Sequence, residues 1–415
     1  MSTSSEATTN ATTDPGRSTP PVRHHKFVVV GGGSGGIDTA ARLCRALNEP
    51  DLAIVEPSED HYYQPLWTLV GAGVMPREKS RHGERGLIPA KATWIRDRVT
   101  EFAPQDNQVV LAGGGRVSYD YLIVAAGLQL NWGKVDGLQG NVGYNGICSN
   151  YLYDQCDKTW ETLQAFKGGN ALFTMPVPPI KCAGAPQKIM YLADDHFRKA
   201  GVRERSQVHY YSGTPGIFSV KEFAKTLNEV IARKHIETHY KHNLTRIDPE
   251  AKQATFKNLE SEEETTVGYD MIHVTPPQGP PEFVKQSPLA NEAGWVNVDK
   301  HTLQHPEYPN VFSLGDVSSL PTSKTGAAIR KEAPVLVENL LAQMNGQPLT
   351  ASYDGYSSCP LTTGYGKLVL AEFDYDLKPA PSFPFDTTKE RWSMYQFKRY
   401  GLPAMYWQGM MKGLV

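Results

Sequence analysis

Phe27-Val28-Val29-Val30-Gly31-Gly32-Gly33-Ser34-Gly35-Gly36 is the stretch that sets the architecture. Four apolar residues, three of them β-branched, read as a buried parallel strand. Gly31, Gly33 and Gly36 then fall on the G-x-G-x-x-G spacing of a dinucleotide-binding turn, with Gly32 inside it, and a helix is expected from Ile37 to Leu47. Gly31 permits the tight turn, Gly33 lets the backbone approach a pyrophosphate, and Gly36 lets helix pack on strand. The phosphates would rest on the helix N-terminus. A second strand, Leu52 to Val55, ends in Glu56, where a carboxylate can take both hydroxyls of an adenosine ribose. The expected class is therefore α/β, built on a Rossmann-like unit.

A chain of 415 residues, 40% of them hydrophobic, is too long for one ordinary core and calls for two or three domains. The formal net charge of −2, with no polybasic run, argues against a nucleic-acid partner. Five cysteines make no disulfide framework and show no C-x-x-C spacing, which fits a reducing compartment and redox use of any pair that matters. Residues 1–24 are Ser/Thr-rich with Pro15, Pro20 and Pro21, and read as a disordered leader. Arg17 and Arg23 share that segment with Glu6 and Asp14, unlike an acid-poor mitochondrial presequence. No run reaches the roughly 18 apolar residues of a spanning helix.

Beyond Glu56, the aromatic loop from His61 to Trp67 can line a flat ring system or pack beneath one. Short strands follow near 92–100, where Val99 is a candidate cofactor contact, and near 108–111, with a Gly113-Gly114-Gly115 hairpin. Tyr119 to Gly127 is another buried strand, whose small residues Ala126 and Gly127 let the chain pass close to a cofactor. This first unit is placed at residues 25–135 and 291–345, with a second Rossmann-like unit at 136–290 between them. The second unit breaks the pattern. Its strand Ala171 to Met175 runs into Pro176-Val177-Pro178-Pro179-Ile180-Lys181-Cys182-Ala183-Gly184-Ala185-Pro186, whose prolines remove the backbone donors a phosphate cradle needs. A nicotinamide dinucleotide has no cradle there. Cys182 instead sits at a loop-to-helix junction, beside Lys181, where a thiolate is favoured. Val311-Phe312-Ser313-Leu314-Gly315-Asp316 returns to the first unit, and a strand ending in Gly-Asp is a flavoprotein signature in which the aspartate bonds a ribityl chain. Lys324-Thr325-Gly326 opens a helix whose N-terminus can face an isoalloxazine.

The region 346–415 holds Cys359 and a tail crowded with aromatics and cations. Trp392, Tyr395, Phe397, Trp407, Met410 and Met411 alternate with Arg391, Lys398, Arg399 and Lys412. Two readings stand: a segment lying in a membrane interface, its cations on anionic headgroups, or a terminal helix pair packed on the core. On the first reading a chain ending near Asp386 would keep its cofactor.

From Phe27 onward the chain resembles the sulfide:quinone oxidoreductases, in the branch of the mitochondrial enzymes and their bacterial relatives. The resemblance is carried by Val55-Glu56-Pro57-Ser58-Glu59 with Tyr63-Gln64-Pro65, by Lys181-Cys182-Ala183-Gly184-Ala185-Pro186-Gln187-Lys188, by Leu320-Pro321-Thr322-Ser323-Lys324-Thr325, and by Tyr356-Ser357-Ser358-Cys359-Pro360-Leu361. It implies two Rossmann-like domains of the FAD-dependent disulfide reductase and NADH dehydrogenase type, plus a C-terminal membrane-associating segment. It implies FAD, a Cys182/Cys359 redox pair on the flavin, and flavin-site roles for Glu56, Gln64, Asp316 and Lys324. The implied partners are hydrogen sulfide, a ubiquinone-like quinone, a small sulfur acceptor such as glutathione, sulfite, cyanide or sulfide, a membrane surface, and a second copy of the chain. The implied place is a membrane surface, set at the cytoplasmic face of a bacterial inner membrane ahead of the mitochondrial one. Two features depart from the branch: Ile329-Arg330-Lys331 puts charge where its members carry small apolar residues, and Cys148 is either a third working cysteine or a spectator. The competing classes are a type II NADH:quinone dehydrogenase, against which the missing second fingerprint argues, and a non-enzymatic membrane-associated flavoprotein, against which the cysteines argue.

Overall fold

The computed structural model describes residues 22–415, so most of the expected leader lies outside the described residues. β1 (Arg23–Val30) is exposed at its start and buried from Phe27 on, as its apolar run requires. It leads through the glycine turn into α1 (Ser34–Ala46), then to β2 (Leu52–Val55), β3 (Ala92–Ile95), β4 (Val99–Ala103), β5 (Gln108–Leu111) and β6 (Arg116–Val124). The strands line up as β3-β2-β1-β6-β5-β4. β1 pairs in parallel with both β2 and β6, which places the glycine turn at the carboxyl edge of the sheet.

A second, wholly parallel sheet has the order β7-β11-β8-β9-β10, from β7 (Ile147–Cys148), β8 (Gly169–Met175), β9 (Ser206–Ser212), β10 (Glu237–Tyr240) and β11 (Met271–His273). Its helices are α2 (Tyr153–Ala165), α3 (Ala185–Lys199) and α4 (Lys221–Lys234). A three-stranded antiparallel sheet, His242–Asp248, Gln253–Asn258 and Glu264–Gly268, stands beside it. β12 (Val311–Ser313) then rejoins the first sheet next to β6. Thr325 caps α5 (Gly326–Met344) by accepting from the Ala328 amide at 3.1 Å. The hairpin of β13 (Ser357–Gly364) and β14 (Lys367–Phe373) carries Cys359 opposite Ala371.

Most of the tail's large side chains turn inward, while two stay exposed. After α6 (Trp392–Gln396) and a wide turn at Phe397–Gly401, α7 (Leu402–Gln408) and the turn at Met410–Lys412 fold back onto α1, where Gly413 abuts Ala41 and Arg42. Tyr395, Trp407, Met410 and Met411 are buried, so four of the residues expected to enter the acyl boundary instead join the core. Trp407 lies flat on His82, ring centroids 3.9 Å apart. Trp392 and Tyr400 stay exposed, at 66% and 59%. No helix among the described residues is long and apolar enough to cross a membrane.

Candidate active site

The turn after β1 opens onto a cavity of about 370 Å³. Gly31 has φ +104°, and a Cβ there would lie 2.5 Å from the Ala125 carbonyl oxygen, so only glycine fits the tight approach to β6. A Cβ on Gly36 would overlap the Gly31 carbonyl, the close packing that the spacing predicts. Gly33 faces open space and lines the cavity at the start of α1. At the end of β2 the Glu56 carboxylate accepts from the Gly32 and Ser58 amides, both at 2.7 Å. Beside it, buried Glu84 keeps one carboxyl oxygen without a donor, an acceptor that a ribose hydroxyl would satisfy. Asp316, Lys324, Thr325 and Gly326 line the same cavity. An acid pair, open glycine backbone and the N-terminus of α5 on one cavity suit a flavin dinucleotide.

Cys182 also lines this cavity, and the fold brings it to Cys359 across 177 residues, with the two sulfurs 3.6 Å apart. Cys182 adopts φ +49°, rare for a residue with a side chain. Two backbone bonds hold it there: its amide donates to the Lys324 carbonyl at 2.8 Å, and its own carbonyl accepts from Ala185 at 2.7 Å. The loop is thereby tied to the start of α5. Lys188 on α3 reaches back to Cys182 Sγ at 3.1 Å. The Cys359 thiol, donating to Cys182, and then the Lys188 ammonium hold Cys182 well below the ordinary thiol value of 9.0 against the effect of burial. Cys359 is correspondingly pushed up, by that bond and by burial. The pair is therefore asymmetric: the thiolate is favoured at Cys182, which lines the cavity, and disfavoured at Cys359.

Residues 25–159 match the pyridine nucleotide-disulphide oxidoreductase family. The chain is 49% identical over 391 residues to a mitochondrial sulfide:quinone oxidoreductase of Dictyostelium discoideum, covering 94% of this chain and 86% of that protein. It is 47% identical to the Mus musculus enzyme of the same name, covering 94% and 87%. The chain belongs to the sulfide:quinone oxidoreductase family. The solved sulfide:quinone oxidoreductase of Aquifex aeolicus, 20% identical, superposes with a TM-score of 0.78 over 94% of this chain and 92% of that one, a likeness of fold. As a member of the family, this chain is a flavin-dependent oxidoreductase.

Within this family member Gly32, Gly33, Glu56, Gln64, Asp316, Lys324, Thr325 and Cys182 converge on one cavity. Gly31 and Gly36 shape the turn from behind. Besides Gly31 and Gly36, three further expected cofactor positions stand outside the lining. Val99 is a core residue paired with Leu111 at the edge of the first sheet, while Ala126 packs behind Gly31 and Gly127 follows it. Ala126 thus serves the turn, its Cα lying 3.2 Å from where a Cβ on Gly31 would stand. Cys148 is likewise not brought to the site: it is fully buried between β11 and α2, and burial pushes its thiol up to about 12. Arg330 does line the cavity.

Sequence reasoning missed three groups. Lys188 sits in the apolar run of α3, all buried from Pro186 to Asp194, and a lysine inside such a run was the available cue. Lys398 was expected on lipid headgroups, but it is buried, lines the cavity and donates to the Pro65 carbonyl at 3.3 Å. Tyr406 joins the tail to the glycine turn: its hydroxyl meets Ser34 Oγ at 2.7 Å and His61 Nε2 at 2.5 Å, with His61 Nδ1 3.1 Å from Glu84.

Burial, then the Lys188 charge, pull Lys398 down from 10.5 to about 7. The folded value lies below the unfolded one, so the cost of burying this lysine is full below pH 7 and fades as pH rises toward 10.5. Lys398→Met is therefore expected to raise the melting temperature at neutral and acid pH, with the advantage closing in alkali. Thermal melts followed by flavin fluorescence across that range check it; an advantage that grows with pH would contradict the burial argument.

Proposed function

We propose that this chain oxidises hydrogen sulfide at the Cys182/Cys359 pair and delivers two electrons through FAD to a membrane quinone, while the sulfane sulfur leaves on a small thiol or related acceptor. The observation that carries the reading is the asymmetric pair, 3.6 Å between sulfurs, at the wall of the cavity that opens from the glycine turn. Glu56 and Glu84 would hold the ribose, Gly31 to Gly36 the phosphates, and Asp316 with the start of α5 the flavin end.

In the oxidised protein the two sulfurs form a disulfide. Sulfide attacks one sulfur, which becomes a persulfide, and the other leaves as a thiolate. Lys188 favours departure of Cys182, because its ammonium meets the developing charge at 3.1 Å. The acceptor thiol then removes the outer sulfur, leaving both cysteines reduced. Reclosing their bond releases two electrons and two protons. FAD, held by Glu56, the Gly31–Gly36 turn and Asp316, would supply the two-electron acceptor that links this pair to quinone. The net change is sulfide plus acceptor thiol plus quinone giving acceptor persulfide plus quinol.

Leu402, Met405 and Met410 of the tail line the same cavity, while Trp392 and Tyr400 remain exposed. A quinone tail can thus approach along a segment with one side on lipid and the other on the flavin cavity. The mitochondrial relatives favour a mitochondrial inner membrane over the bacterial cytoplasmic face. Anaerobic mixing tests the donor: sulfide is expected to bleach the flavin band within the mixing experiment while NADH leaves it intact. Rapid bleaching by NADH with sulfide inert would remove the proposal.

A further inference from the structure

Outside the cavity, the second sheet gathers one more set of chemistry-bearing side chains. β9 and β10 run in parallel with His209 opposite Glu237 and Tyr211 opposite His239. Residues two apart on a strand share a face, so His209, Glu237 and His239 project together. His209 Nδ1 lies 3.2 Å from His239 Nε2 and 3.4 Å from Glu237 Oε2, and all three ligand atoms fall within 4.8 Å of one another. Tetrahedral bonds of about 2.0–2.1 Å put neighbouring ligand atoms about 3.3 Å apart, so the first two separations already have the edge length of a metal polyhedron.

We propose that His209, Glu237 and His239 form a binding site for a divalent ion of zinc type. The donor set, two imidazoles and one carboxylate, suits Zn²⁺ and leaves a fourth position for water. Stacking fixes the His239 ring: it lies on Tyr211 at 4.2 Å and 9°, and Tyr211 in turn lies on Phe256 at 3.8 Å. Glu237 is 61% exposed in its side chain, which gives an ion an entry path. No other group of three such ligands occurs among the described residues. β10 is the edge strand of its sheet, and an ion held by both strands would staple that edge to β9.

The test uses the full-length, flavin-loaded protein titrated with Zn²⁺ by calorimetry, and with Co²⁺ by absorbance at wavelengths beyond the oxidised flavin band. The expected result is one equivalent that persists in Cys182→Ser, is lost in His239→Ala, and binds at least about tenfold more weakly in Glu237→Gln. Zn²⁺ should also raise the unfolding temperature of the parent but not of Glu237→Gln, an exposed substitution that spares the fold. Absence of binding would reduce the cluster to a histidine–carboxylate ion pair. Binding that disappears in Cys182→Ser and survives in both other variants would place the ion on the thiols. Either result overturns the proposal.

Discussion

Cys182→Ser and Cys359→Ser are each expected to lower sulfide-dependent quinone reduction by on the order of 10³-fold or more while the protein keeps its flavin. A serine hydroxyl can neither form the sulfur–sulfur bond nor leave as a stable anion beside Lys188, so both halves of the exchange fail. No other cysteine can substitute. Cys44, Cys148 and Cys156 are buried away from the cavity, and burial pushes the last two up to about 12. Cys148→Ser should therefore be nearly silent. The two active-pair variants should also differ from each other. Cys182 lines the cavity and Cys359 stands behind it, so a thiolate left at Cys182 in Cys359→Ser can still perturb the flavin spectrum. Flavin content per chain, the visible spectrum and turnover with a short-chain quinone are the three readouts. Full turnover in either variant would remove the pair from the mechanism.

The parts of this site that were legible from sequence are those fixed by local geometry. Phe27 to Gly36 determined a strand, a turn and a helix because each residue's role there depends on its immediate neighbours, and the structure returns all three. The same holds for Glu56 at the end of β2 and for the helix opened by Lys324-Thr325-Gly326. The cysteine pair was reachable only through resemblance, since a separation of 177 residues carries no local signal. The tail was the least legible element. Aromatics alternating with cations describe an interfacial helix and a packed roof equally well, because composition does not say which face turns inward. The deciding contact joins Ser34 to Tyr406 across 372 residues, and nothing near either residue announces it. Lys398 was misplaced for the same reason: a cation reads as solvated until a cavity with two sulfurs is seen beneath it.

The tail's packing changes what its removal should do. A chain ending near Asp386 is expected to lose FAD, contrary to the behaviour of a detachable membrane anchor. Tyr406, Trp407, Met410 and Met411 are all nearly fully buried, and covering each contributes about 1.5–3 kcal/mol. Together that matches the roughly 5–15 kcal/mol by which a domain is stable at all. The cut would also strip the Tyr406 hydroxyl from Ser34 and His61, leaving the wall of the glycine turn open to water. Membrane contact must then be tested by residues that the core does not need. Trp392 and Tyr400 are exposed at 66% and 59% and touch no part of the cavity. The double variant Trp392→Ser, Tyr400→Ser is expected to keep its flavin and its sulfide-induced bleaching, yet to bind liposomes roughly tenfold more weakly and to turn over long-chain quinone more slowly. Flotation with liposomes beside single-turnover flavin reduction separates the two effects. Unchanged flotation would move the lipid contact to another face, and a truncated chain that retains FAD would show that the tail's burial is not what holds the flavin cavity together.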